Sequence, residues 1–354
     1  MNIFKSIIVI GIVFVVFSCN NTRSQREDVF YIEDDVEVLS AKSFIKNINL
    51  IQLQSNNDEY LIGKIDKIQK QGDLFYILDN QYNKALYVFN DKGQPVKKWS
   101  KLGQGPDEYL QILDFDMNDT DLVLLCFPTK LIYLDIDNLE PKREEYLLKD
   151  KFYSRISLYQ NSVLLYDHAT GTVDCVTSQD EGIKNIFRDA VLQGNLFYPQ
   201  PVFYKTSKDL FYQSSGGNTL YKISDFQFDE YLIFDYKAKA NSSKFYASRE
   251  PIPITPMEIS KYPLPNILSV FEYNNDIGFI YAFGGLFHFG VNLFDSRVPL
   301  NYHSIAIVDN KIISWIYPFN LSFPNIQALD IPITENILES AESDNPILVE
   351  IELL

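Results

Sequence analysis

Reactive side chains are scarce in this sequence. Three cysteines and three histidines are spread over 354 residues, which removes most of the usual material for zinc centres and redox relays. His168, His288 and His303 stand far apart and form neither an HExxH nor a His-x-x-x-His motif. No Gly-x-Ser-x-Gly elbow and no Asp-x-Asp-x-Asp-Gly calcium loop occur. Positive charge is short as well. With 31 Lys and Arg against 47 Asp and Glu, the formal charge is −16, and such a chain repels nucleic-acid phosphates. These shortages argue against a metal, a cofactor or a nucleic-acid partner. What the chain has in plenty is aromatic residues, 14% of the total, a composition that suits half-buried strands.

One long apolar run exists, at the N-terminus. Residues 1–19 read MNIFKSIIVIGIVFVVFSC, with Lys5 ahead of an apolar stretch from Ile7 to Phe17. A charged start, a short apolar core and a small residue before cysteine describe a bacterial lipoprotein signal rather than a membrane span. Residues 1–18 are then the signal peptide, Cys19 is the lipidated residue, and residues 19–40 form a linker. Loss of Lys5 leaves 30 basic against 47 acidic residues, a mature charge of −17. The expected location is the bacterial cell envelope, with the membrane engaged through the lipid. The other two cysteines, Cys126 and Cys175, sit in strand-like runs. Their spacing demands no disulfide.

The remaining residues, 41–354, repeat one unit. An apolar, aromatic strand follows a polar turn at Leu74–Leu78, Leu122–Cys126, Val163–Tyr166, Leu210–Tyr212, Ile277–Tyr281 and Ile312–Trp315. Turn formers such as Gly72-Asp73, Asn118-Asp119 and Asp309-Asn310 precede them. The starts are 48, 41, 47, 67 and 35 residues apart. Partner strands follow at Ala85–Asn90, Lys130–Ile136, Thr172–Ser178, Thr219–Ser224 and Leu286–Leu293. Six such units predict an all-β fold, a six-bladed β-propeller forming a single domain. The long interval holds an insertion at 237–266, rich in Ser, Lys and Pro. Thr255-Pro256-Met257-Glu258 reads as a helix start, and a second short helix is expected at Glu335–Glu342. An early strand at Phe44–Leu53 and a late one at Ile347–Leu353 lie outside the six units. One of them is expected to join the blade at the other end of the chain and hide an edge.

One motif stands apart: Gly103-Gln104-Gly105-Pro106-Asp107-Glu108-Tyr109. A phosphate loop is a poor reading, since no helix follows, no Walker lysine is present and Asp107 and Glu108 would repel phosphate. An inter-blade turn is the better one. Gly103, Gly105 and Pro106 shape it, Glu108 binds backbone N–H groups and Tyr109 packs on a neighbouring blade. Together with Leu61–Ile68, Leu74–Asp79 and Ala85–Gly93, this segment resembles the six-bladed β-propeller lipoproteins of Bacteroidota, which are related in shape to NHL-repeat propellers. Those proteins carry Gly-x-Gly-Pro-Gly-Glu-Tyr, and here Asp107 stands at the third-to-last position where Gly is usual. The tail Asp344–Val349 resembles the family's ending. The resemblance implies the fold and an envelope location and brings no catalytic residue with it.

Two carboxylate pairs, Asp114/Asp116 and Asp135/Asp137, each share a strand face and could offer oxygen ligands to calcium. Such alternation is more commonly a solvated strand end. Phe283, Phe287, Phe289 and Phe294 around Gly284-Gly285 could stack a sugar, though core packing is the commoner use. The reading that follows is an envelope-anchored propeller that binds a small-molecule, glycan or protein ligand, with no nucleic acid. The alternative is a metal-assisted hydrolase or lyase with its site over the central channel.

Overall fold

The computed structural model describes residues 29–32, 45–56, 58–177, 182–188, 202–213, 217, 219–236, 266–273, 276–283, 286–291, 294–298, 306–308, 311–317 and 344–353. Among them the regular structure is strand throughout. Two strands, β1 (Val29–Ile32) and β2 (Ile45–Gln52), come first. Blade 1 is β3 (Lys67–Gln71), β4 (Leu74–Asp79), β5 (Ala85–Asn90) and β6 (Pro95–Trp99). Blade 2 is β7 (Gln111–Met117), β8 (Asp121–Phe127), β9 (Lys130–Asp135) and β10 (Pro141–Tyr146). Blade 3 is β11 (Tyr153–Tyr159), β12 (Ser162–Asp167), β13 (Thr172–Thr177) and β14 (Ile183–Arg188). Blade 4 is β15 (Phe203–Lys205), β16 (Leu210–Tyr212), β17 (Thr219–Ser224) and β18 (Gln227–Tyr236). Blade 5 is β19 (Asn266–Tyr273), β20 (Asp276–Phe283), β21 (Leu286–Val291) and β22 (Phe294–Val298). Blade 6 is β23 (Ala306–Val308), β24 (Lys311–Ile316) and β25 (Ile347–Leu353), completed by β2.

Each blade is an antiparallel meander, and the first strand of each touches its neighbours around a ring: β7 with β11, β11 with β15, β15 with β19, β19 with β23 and β23 with β3. The middle strands are buried on both faces. β12 is buried at all six positions and β4 at every position after Leu74. The outermost strands β10 and β14 have no buried residue. The cores accordingly lie between blades. Trp99, Tyr109, Phe115, Leu124 and Ile132 fill the space between blades 1 and 2, and Phe75, Phe89, Trp315 and Leu348 that between blades 6 and 1. A lone sheet cannot cover both its faces, so radial stacking is what makes these strands stable.

The ring closes with strands from both ends of the chain. β2 runs antiparallel to β25, from Ile45 opposite Leu353 to Gln52 opposite Ile347. The buried Asn345 side chain strengthens the joint, accepting the Ile62 N–H at 2.8 Å and donating to Tyr60 O at 3.0 Å. Three expectations need adjustment. The six repeated strands, read as the first of each unit, are the second of each blade, because an inner strand precedes each one. The 19–40 linker contains a strand, since β1 pairs parallel with β18 as a fifth strand of blade 4. The insertion ends one residue earlier, with Asn266 already in β19. Residues 237–265 and both expected helices lie outside the described residues.

Candidate functional site

The meander sorts its connections onto two faces. Turns between first and second strands, and between third and fourth, emerge on one face and are short hairpins such as Gly72-Asp73 and Asn118–Thr120. Turns between second and third strands, and links to the next blade, emerge on the other. This loop-rich face includes residues 100–110 between blades 1 and 2 and residues 147–152 between blades 2 and 3.

Nine large hydrophobic side chains are exposed among the described residues, and seven of them lie on the loop-rich side of blades 1 to 3: Tyr82, Leu102, Leu110, Phe127, Tyr146, Leu148 and Phe152. Tyr82 and Phe152 are 70% and 69% exposed, so they contribute nothing to the core. Hydrogen bonds tie these positions into one belt. The Gln111 amide donates to Asn80 two residues before Tyr82. The Leu110 N–H donates to Phe127 O at 2.9 Å, and the Leu147 N–H donates to Thr129 O at 3.1 Å. The Phe152 N–H is held by Asp167 Oδ1 at 3.2 Å, while Phe152 O accepts the His168 N–H. Tyr82 rests on Gly63, where a Cβ would come within 2.7 Å of the tyrosine Cβ. These seven side chains form the exposed apolar part of the loop-rich face among the described residues.

The channel side is polar and closed on itself. Asp114 and Asp116 of β7 are 3% and 2% exposed. Asp114 takes the Lys67 ammonium of blade 1 at 2.8 Å and the Ile156 N–H of blade 3 at 2.9 Å. Asp116 accepts from the Gln69 amide at 2.8 Å and the Leu158 N–H at 2.7 Å, and the Lys205 ammonium of blade 4 reaches the same carboxylate. Burial alone would raise the Asp116 pKa, but Lys205 and Lys67 outweigh it and hold the carboxyl below its usual value. These carboxylates are saturated by ammonium and amide donors from three other blades, which leaves little for a cation. Among the described residues no group of three His, Cys, Asp or Glu could hold a metal ion. Asp135 caps the turn to Asp137 and Asn138 and shares Lys142 with Asp121.

The Gly103–Tyr109 segment is the link between β6 and β7. Tyr109 is fully buried, stacks on Trp99 with ring centroids 5.2 Å apart and donates its hydroxyl to Lys84 O at 2.5 Å. Burial pushes its pKa up to about 12. Glu108 Oε2 accepts the Gly105 N–H at 2.7 Å and lies so near Gly103 that a Cβ there would be 2.0 Å away. Asp107 has a φ of 54° and donates its N–H to Glu144. All of these contacts are internal to the ring.

Cys126 and Cys175 are buried free thiols in the separate cores on either side of the blade 2–blade 3 pair, and burial raises both pKa values. His168 follows Asp167 in a turn of blade 3. Partial burial and the nearby Arg155 lower its pKa. Cys19 and His303 lie outside the described residues, as do Gly284-Gly285 and the side chains of His288, Phe283, Phe287, Phe289 and Phe294. The belt and the channel network were both missed from sequence. Their signal was apolar residues inside turn segments, as in Asn80-Gln81-Tyr82 and Phe127-Pro128, and lysine in a strand facing aspartate one blade away.

The arrangement has counterparts. A protein of Bacteroides fragilis described as exported superposes with a TM-score of 0.68 at 17% identity, over 92% of this chain and 99% of that one. The extracellular domain of a one-component system of B. thetaiotaomicron gives 0.44 at 9% identity, over 76% of this chain and 32% of that one. A luciferin-regenerating enzyme gives 0.47 at 8% identity, over 86% and 95%. No curated protein matches the sequence. The family model DUF5128, described as a 6-bladed beta-propeller, matches residues 18–292. Six sheets in a ring and this match agree: the chain belongs to that family of six-bladed β-propellers.

Proposed function

We propose that this chain is an envelope lipoprotein whose propeller works as a docking scaffold through its loop-rich face. The belt of seven exposed apolar side chains carries this reading. A monomer gains nothing from leaving such residues in water, and they brace no core. The channel supports the same reading, because its carboxylates are committed to ion pairs that join blades. The lipoprotein part rests on Cys19 closing the apolar run, and the exported description of the Bacteroides fragilis protein supports an extracytoplasmic location.

Photocrosslinking tests the docking surface. A benzoylphenylalanine at Phe127 or Phe152 in living cells should form adducts, and one at Asp119, on the hairpin face, should not. Equal labelling at all three positions, or none, would sink the reading. Palmitate labelling tests the anchor. Wild type should be labelled and Cys19→Ala should not, and unchanged labelling of the variant would refute lipidation at Cys19.

A further inference from the structure

The charge of this protein is not spread evenly over the ring. On the hairpin face of blades 1 and 2, Asp73, Asp91, Asp119, Asp137 and Glu140 are all exposed and outside any ion pair among the described residues. Lys92 is the exposed base among those turns. The loop-rich face of the same blades differs. Lys84, Lys101 and Lys149 stand beside the belt and make no ion pair among the described residues. In the loops there, Asp58, Glu59, Asp107 and Asp150 stand outside any ion pair among the described residues, while Glu108 is turned inward onto the Gly105 N–H. On these two blades the hairpin face is the more acidic, and the loop-rich face combines lysines with exposed Tyr, Phe and Leu.

That combination is the chemistry of a membrane interface. Aromatic rings favour the headgroup layer, apolar side chains the region below it, and lysine ammonium groups pair with anionic lipid. The hairpin face, by contrast, is repelled by anionic headgroups. The tether keeps the ring close enough to matter. Val29 is ten positions after Cys19, and it is fixed to the rim of blade 4 through β18. Fully extended, that stretch spans at most about 35 Å, so an acylated chain cannot leave the surface.

We propose that the belt seats on the membrane that carries the protein, with the lipid surface as its occupant and the acidic hairpin face turned outward. The proposal deepens the docking reading and rests on it. The lipid would hold the chain at the bilayer, and the belt adds a second contact that fixes the orientation of the ring. A protein partner with an acidic rim is the competing occupant, and the test separates the two.

The mature chain from residue 19 carrying Cys19→Ser, which bears neither the apolar signal run nor an acyl group, should still float with vesicles of phosphatidylglycerol and phosphatidylethanolamine. Its partition should drop at least about tenfold with Phe127→Ser/Phe152→Ser, and again with Lys101→Glu/Lys149→Glu. Asp119→Lys, on the other face, should leave it unchanged. All five sites are surface positions, and circular dichroism checks that each variant folds. In the acylated chain on the same vesicles, an environment-sensitive dye at Gln104 should be quenched by spin-labelled lipid, and a dye at Asp119 should not. Failure of the Cys19→Ser chain to float, partition indifferent to the belt variants, or stronger quenching at Asp119 would overturn the seating. Loss of palmitate labelling in wild type would overturn the anchor alone, because the flotation of the non-acylated chain does not depend on it.

Discussion

Asp116 joins four blades, and its removal should be felt throughout the ring. Asp116→Ala leaves the Leu158 N–H without its acceptor, at a cost of about 1–3 kcal/mol for a buried donor. It also strips Lys205 and Gln69 of their partner. Breaking a buried pair costs about 3–5 kcal/mol when the orphaned charge stays buried. Lys205, however, is 37% exposed and can turn to water, so the total should be about 3 kcal/mol. With an unfolding entropy of roughly 2.1 cal/mol/K per residue over a propeller of this size, the melting temperature should fall by about 5 °C. Circular dichroism melts at pH 7 read this directly. The pH dependence has a definite sign. The folded carboxyl titrates below the usual aspartate value, so its contribution is complete above the unfolded value and fades as pH falls through the folded one. The gap between wild type and Asp116→Ala should be full at neutral pH and shrink below about pH 4. A double-mutant cycle with Lys205→Met should give a coupling of about 1 kcal/mol, reduced by the exposure of the lysine. Coupling near zero together with a gap that ignores pH would show that the contact between blades 4 and 2 holds nothing.

Other outcomes follow from single contacts. Gly93 has a φ of 72°, and a Cβ there would lie 1.9 Å from Gln52 O, a backbone atom that cannot step aside. Gly93→Ala should lose at least about 2 kcal/mol in chemical denaturation. Gly103→Ala meets only the end of the Glu108 side chain, which can swing away and forfeit its bond to the Gly105 N–H. The loss should be about 1 kcal/mol by the same measurement. In the folded Cys19→Ser chain, Cys126 and Cys175 should resist a thiol reagent until denaturant is added, and fast labelling of either in native buffer would contradict their burial.

The blades were legible in the sequence because their middle strands are covered on both faces. Val163–Tyr166 and Leu122–Cys126 are nearly unbroken apolar runs, and nothing but a stacked sheet accounts for six of them. The inner strands were harder to see for the opposite reason. Lys67–Gln71 reads Lys-Ile-Gln-Lys-Gln, because Lys67 and Gln69 face the carboxylates of β7 and Lys70 faces Glu350. Polarity that a local reading assigns to a loop is paired here across the ring. β1 escaped notice because four residues between charged segments carry little periodicity, and its strand state comes from β18. The belt was hidden because an exposed Phe and a buried Phe look alike in a string of letters. What separates Phe127 from Phe115 is its place at a strand end, and that requires the blade boundaries.

Closure by β2 and β25 sets an order on how this protein can be made. β2, which completes blade 6, is made well before its partner β25, with blades 1 to 5 between them in the chain. Until residue 347 arrives, β2 has no sheet to join and the ring stands open with a bare edge on blade 6. Contacts between residues about three hundred positions apart, such as Lys46 with Glu352, favour slow folding that is committed late. A chain released short of its final strand would keep five blades and still not be a propeller. Nothing built on the ring exists until β25 has paired with β2 and β24.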